Sequence, residues 1–182
     1  MSIWKTIENH LVETQGYKDL DEPVILTSGE LGIYYVNTEK LLQDNEKFKK
    51  FSEDSTKMID HAVCMTKEHP SFGEVINIIT DQADILLNTT IHKPNKFAIS
   101  GLQRRDWIFS GPVAKKLELL HISVYKDGRI EVIKPNGNIH SQEYVFNRDF
   151  LSLHISDLIT EGSSAYRRQG INEEGWLPSL RN

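Results

Sequence analysis

Residues 150–164 read Phe-Leu-Ser-Leu-His-Ile-Ser-Asp-Leu-Ile-Thr-Glu-Gly-Ser-Ser. An apolar run with β-type residues stops at one acid, Asp157, and passes two apolar residues. It then opens into small hydroxyl residues around Gly162. A strand that ends this way is a ready phosphate cradle. Backbone N–H groups and hydroxyls converge there on an anion, and a following helix aims its positive end at the same point. The acid sits one step earlier, where it can hold a sugar hydroxyl or a hydrated magnesium ion. Phosphate, sugar and metal on one turn point to a phosphorylated ribose.

The chain of 182 residues is long enough for one domain with a real core. Its 21 basic and 26 acidic residues leave a net charge of −5, against the basic excess of a nucleic-acid or membrane-surface binder. No apolar run reaches the length of a membrane span, and the start carries an acid early and has no signal-peptide core. Cys64 is the one cysteine, so there is no disulfide framework and no paired-cysteine metal knuckle. These features predict a cytoplasmic protein.

Ile3, Trp4, Ile7, Leu11 and Val12 share a helical face, which predicts a helix over 2–15. Gly16 and an acidic turn near Asp19 and Asp21 end it. Short strands are expected over 23–27 and 31–37, with Ser28-Gly29-Glu30 as the turn between them. Tyr34 and Tyr35 alternate along the second strand, with one of them expected in the core. Residues 38–50 read as helix or loop. Helices follow over about 55–67 and from Ser71 onward, the second opened by a Ser71/Glu74 capping box and ended by Asn88-Thr89-Thr90.

The pattern then changes. Phe97-Ala98-Ile99 is a strand running into Ser100-Gly101, and a helix is expected over about 107–119. Because Pro112 lies inside that segment, the helix must begin near Ser110 or kink. Residues 122–125 and 130–132 are strands joined at Asp127-Gly128, a strong two-residue turn. Helices followed by alternating strand, helix and strand predict an α/β domain around a mainly parallel sheet. Ligands in such sheets sit at the carboxyl ends of strands. Two strand-end loops carry chemistry here, one after Ile99 and one after Ile155.

The first of these reads Ser-Gly-Leu-Gln-Arg-Arg-Asp-Trp over residues 100–107. Gly101 would let backbone approach an anion closely. Arg104 and Arg105 supply fork-shaped donors suited to phosphate oxygens.

Together these motifs resemble the type I phosphoribosyltransferases, and the orotate phosphoribosyltransferases in particular, over roughly residues 24–168. In that family an apolar strand leads to two adjacent acids and a Thr/Gly-rich loop that binds the 5-phosphate of phosphoribosyl pyrophosphate (PRPP). Asp157 matches the second acid, and Thr160, Glu161, Gly162, Ser163 and Ser164 match the phosphate loop. Ser156 stands in the place of the first acid, and Glu161 in a place usually held by a small residue. The loop with Arg104 and Arg105 looks like the family's pyrophosphate loop. Ser28, Gly29 and Tyr35 resemble part of the base-binding side. Lys126 matches the basic strand-end segment from which a mobile hairpin departs, and the resembling enzymes imply that it can act from a dimer partner.

The resemblance implies one domain over 1–182, with residues 1–50 as an N-terminal hood or cap segment and a β-hairpin inserted in the sheet. It implies a homodimer, and transfer of the phosphoribosyl group of PRPP to a nitrogenous base, orotate or a related pyrimidine, with release of pyrophosphate. Arg104, Lys126 and Asp157 would be the catalytic set. The implied cofactor is Mg2+, with no direct protein ligand and Asp157 touching it through water. The alternative is a relative that binds PRPP or a nucleotide as a sensor without catalysis. Ser156 and Glu161 favour it.

The remaining chemistry-bearing residues have plainer readings. His61 and Cys64 share a helical face and are too few for a metal set, so they read as packing. His154 lies within the strand beside the site and reads as structural. The loop after Asp157 lacks the glycine and Gly-Lys-Ser/Thr spacing of a P-loop.

Overall fold

The computed structural model describes residues 3–25, 31–42, 49–51, 53–89, 96–137, 139–140 and 150–157. In chain order these form α1 (Ile3–Glu13), β1 (Tyr17–Ile25), β2 (Leu31–Val36) and a 3-10 turn (Thr38–Leu42). Helices α2 (Ser55–Glu68) and α3 (Pro70–Thr89), strand β3 (Lys96–Leu102) and helix α4 (Trp107–Lys116) follow. The described chain ends with β4 (Leu120–Val124), β5 (Ile130–Ile133), β6 (Ile139–His140) and β7 (Phe150–His154). None of the described helices is long and apolar enough to cross a membrane.

Strands β3–β7 make one sheet in the order β6-β5-β4-β3-β7. β3 is parallel to both neighbours, β4 and β7, whereas β4–β5 and β5–β6 are antiparallel. The sheet is therefore mixed, with parallel pairing confined to the three strands around β3. The reason is local. The turn after β4 reverses the chain within a few residues, with Gly128 at φ 88°, and so forces an antiparallel neighbour.

Alternation along the strands splits the apolar residues between two clusters. Ile99, Ile133 and Leu153 join the main core with Met58, Ile59, Phe72, Ile76, Trp107 and Val113 from α2, α3 and α4. Ala98, Ile122, Ile130 and Val132 form a smaller cluster of their own. α4 lies closest to the sheet and to α2. At Gly111 a Cβ would meet Ile59 Cγ1 at 2.4 Å and Cγ2 at 2.8 Å, so the absent side chain sets the α2–α4 approach.

Several sequence expectations shift. β1 begins at Tyr17, so Asp19 and Asp21 lie in a strand rather than a turn. The β1–β2 register is interrupted between Asp19 and Val24, where Pro23 has no N–H for the ladder. Tyr34 and Tyr35 are both exposed, because β1 and β2 form a separate two-stranded sheet. α3 begins at Pro70, which suits the first helical position, so Ser71 lies inside the helix and does not cap it. α2 is capped by Asp54, whose Oδ1 accepts from Lys57 N–H at 3.0 Å. β3 runs on through Ser100 and Gly101 to Leu102, and α4 starts at Trp107 with Pro112 inside it. His61 is buried with an edge contact to Phe51, but Cys64 is exposed.

Gly111→Ala is expected to destabilise the protein by about 1–3 kcal/mol, because Ile59 is β-branched, buried and unable to swing aside. A urea unfolding curve checks this, and an unchanged midpoint would contradict the close α2–α4 contact.

Candidate functional site

β4, β3 and β7 are adjacent and parallel, so their carboxyl ends fall on one edge of the sheet. Three short segments leave that edge. Gln103–Asp106 follows β3, Tyr125–Arg129 follows β4, and Ile155–Asp157 follows β7. Hydrogen bonds tie them together. Gln103 N–H donates to Val124 O at 2.7 Å, and Ile155 N–H donates to Ser100 O at 2.9 Å. Lys126 N–H donates to the Gln103 side-chain oxygen at 3.1 Å. The Gln103–Arg104 peptide is cis.

Asp106 fixes this edge. One carboxylate oxygen accepts from Leu102 N–H at 2.9 Å, and the other accepts from Asp157 N–H at 3.0 Å. His154 Nε2 lies 3.4 Å from the first of these oxygens, and His154 Nδ1 lies 3.2 Å from Ser100 Oγ. The Asp106 backbone carbonyl also accepts from Ser110 Oγ at 2.8 Å. Burial works to raise the Asp106 carboxyl, but the His154 contact and the two backbone donors outweigh it and hold the carboxyl below its ordinary range. Beneath it, Ser110 Oγ and Ser123 Oγ flank His121 at 2.8 and 3.0 Å. Burial, with a smaller push from His154, lowers the His121 ring to about 3, so the ring is neutral at ordinary pH.

Asp157 is set the opposite way. Burial raises its carboxyl to about 6, helped by the charge of Asp106 and opposed by the Thr38 hydrogen bond and by Arg105. Thr38 Oγ1 donates to Asp157 Oδ2 at 2.8 Å. Arg105 Nε donates to Glu39 Oε1 at 3.0 Å, and Arg104 Nη2 lies 3.7 Å from the same oxygen. An acid poised near neutrality stands near Arg105, the kind of perturbed arrangement that is over-represented at functional sites.

The structure thus places Arg104, Arg105, Lys126 and Asp157 on one sheet edge. Lys126 is exposed there. Tyr35 lies on β2, and its hydroxyl accepts from Asn37 Nδ2 at 3.0 Å, next to the Thr38–Glu39 pair. Ser28, Gly29, Thr160, Glu161, Gly162, Ser163 and Ser164 lie outside the described residues. Gly101 has a different role from the one expected. A Cβ there would meet Ser110 Oγ at 2.3 Å and Asp106 Cβ at 3.0 Å. Its bare backbone therefore admits α4, and its carbonyl accepts from Trp107 Nε1 at 2.9 Å.

Sequence reasoning assigned no role to Asp106, Thr38 or Glu39. Asp106 had a signal, since it directly precedes the helix at Trp107 where a capping acid is expected. Its side chain turns back to the strand ends and makes no capping bond to α4. Thr38 and Glu39 had none, because they meet partners 119 and 66 positions away.

Comparison with models of protein families and with curated proteins finds no match. Among solved structures, the chain is similar to an orotate phosphoribosyltransferase from Francisella tularensis, with 11% sequence identity and a TM-score of 0.44. The similarity covers 92% of this chain and 63% of that one, so the chain spans less than two thirds of the enzyme. At this level nothing about activity transfers from that enzyme.

Asp157 yields a pH prediction. Folding raises its carboxyl from 3.8 to about 6, so the folded state favours the protonated form. Stability from this group is full below its unfolded value and is lost as pH rises through about 6. Asp157→Asn keeps an acceptor for Thr38 and removes the buried charge. It is expected to raise stability near pH 8 by on the order of 2 kcal/mol and to change little near pH 3. Urea unfolding at both pH values checks this, and equal destabilisation at both would contradict it.

Proposed function

We propose that the chain binds PRPP at the carboxyl edge of β4, β3 and β7 and transfers its phosphoribosyl group to a nitrogenous base, orotate or a related pyrimidine. The observation that carries this reading is the placement of Asp157 near Arg105, from two adjacent parallel strand ends, with Arg104 next to Arg105 on the same segment. Open α/β sheets bind ligands at such edges. An acid suits ribose hydroxyls, and fork-shaped guanidinium groups suit pyrophosphate oxygens.

In the transfer, the bond between the sugar carbon and pyrophosphate oxygen breaks, and its electron pair leaves with pyrophosphate. A bond forms from a ring nitrogen of the base to that carbon, and the nitrogen gives up its proton to solvent. The sugar passes through an oxocarbenium-like state, so the protein needs no nucleophile. It must align the partners and neutralise the leaving group. Arg104, Arg105 and Lys126 are assigned to pyrophosphate, Asp157 to the ribose hydroxyls, and Thr160, Gly162, Ser163 and Ser164 to the 5-phosphate. Tyr35 is assigned to the base side with Ser28 and Gly29.

Among the described residues no group of three or more His, Cys, Asp or Glu side chains is placed to hold a metal. Glu39 is engaged by the arginines, and Asp106 by two backbone N–H groups and His154, so Asp157 is the carboxylate of this edge proposed for a metal contact. That fits a hydrated magnesium ion held chiefly by ligand phosphates, with Asp157 as its contact through water. Magnesium would supply charge neutralisation of the pyrophosphate.

A second reading keeps the site and drops the chemistry. Ser156 in place of an acid, and Glu161 in the phosphate loop, favour a protein that senses PRPP or a nucleotide. Mixing the chain with PRPP, magnesium and orotate separates the two. The transferase reading predicts a fall in orotate absorbance, slowed roughly 100-fold by Arg105→Ala. Binding of PRPP with no consumption of orotate or any base in a panel would leave the sensor reading.

A further inference from the structure

The Asn37–Thr38–Glu39 turn touches both halves of the strand-end site. Thr38 donates to Asp157 at 2.8 Å, and Glu39 accepts from Arg105 at 3.0 Å. The turn is itself pinned. Asn37 N–H donates to Gly16 O at 2.6 Å, where α1 hands over to β1. Asn37 Oδ1 accepts from Glu39 N–H at 3.0 Å, and Asn37 Nδ2 donates to Tyr35 at 3.0 Å.

Glu39 has two physical readings. It is either a competitor that an incoming anion must displace from the arginines, or a fixed support that orients them. Burial decides between these. The Glu39 side chain is 10% exposed and that of Arg105 is 47% exposed. An anion that pulled both arginines away would leave a buried carboxylate without its cations, one of the costliest single losses in a folded protein. The contact geometry agrees. Glu39 grips Arg105 at Nε, which fixes the guanidinium plane without using the terminal nitrogens in that bond.

We propose that Thr38 and Glu39 are positioning residues, one turn that orients the sugar-side acid and the anion-side arginine together. The proposal rests on the phosphoribosyl reading of this edge and assigns its geometry to a segment that is not itself a strand end of the main sheet. Thr38 acts through Asp157, and Glu39 acts through Arg105 with a lesser hold on Arg104. The two effects are therefore separable by ligand.

The test is calorimetric titration of the full chain, with magnesium, by inorganic pyrophosphate and separately by ribose 5-phosphate. Glu39→Gln is expected to weaken pyrophosphate roughly tenfold and leave ribose 5-phosphate within about twofold. Thr38→Val is expected to do the reverse. Arg105→Ala loses pyrophosphate binding, and the Glu39→Gln/Arg105→Ala double variant is no weaker than Arg105→Ala alone. Urea midpoints confirm that each variant is folded. Pyrophosphate binding by Glu39→Gln as tight as wild type, or tighter, overturns the proposal. Equal weakening of both ligands by both variants also overturns it. If the wild type binds neither ligand, the phosphoribosyl reading falls as well. If Arg105→Ala loses pyrophosphate while Glu39→Gln does not weaken it, only the positioning role falls.

Discussion

The carboxylate of Asp106 is the contact on which the rest of this edge depends. It holds the last N–H of β3, the N–H of Asp157 beyond β7, and the ring of His154 on β7. It also stands immediately before α4, whose approach to β3 needs the bare backbone of Gly101. Removing it would leave two backbone donors at the strand ends without their acceptor, in a place where burial makes unpaired groups expensive. The helix start, the two strand ends and the candidate acid are thus one connected polar unit.

That unit sets two neighbouring carboxyls against each other. Asp106 is held in its charged form by donors that converge on it, while Asp157 is pushed up to about 6 by burial first and by the charge of Asp106 after it. The Thr38 hydroxyl and Arg105 favour its ionised form but do not offset its burial. Acids perturbed in this way by burial and a neighbouring charge are over-represented at functional sites.

Much of this was legible in the sequence because it is local. The apolar strand just ahead of Asp157, the strand before Arg104 and Arg105, and the Asp127-Gly128 turn all announce themselves within a few residues. Other features are not local. The exposed Tyr34 and Tyr35 follow from β1 and β2 pairing with each other alone, which alternation cannot reveal. Thr38 and Glu39 carry no motif, since their importance lies wholly in what they touch. Gly101 was legible as a glycine that matters, but its neighbour proved to be the Ser110 hydroxyl of the chain's own helix.

The central claim is that three parallel strand ends build a PRPP site from Asp157 and the arginine pair. Calorimetric titration of the wild-type chain with PRPP and magnesium tests it most directly. The account predicts saturable binding at one site per chain, lost when Arg104 and Arg105 are both changed to Ala. Absence of binding by the folded wild type, or binding that survives the loss of both arginines, would contradict it.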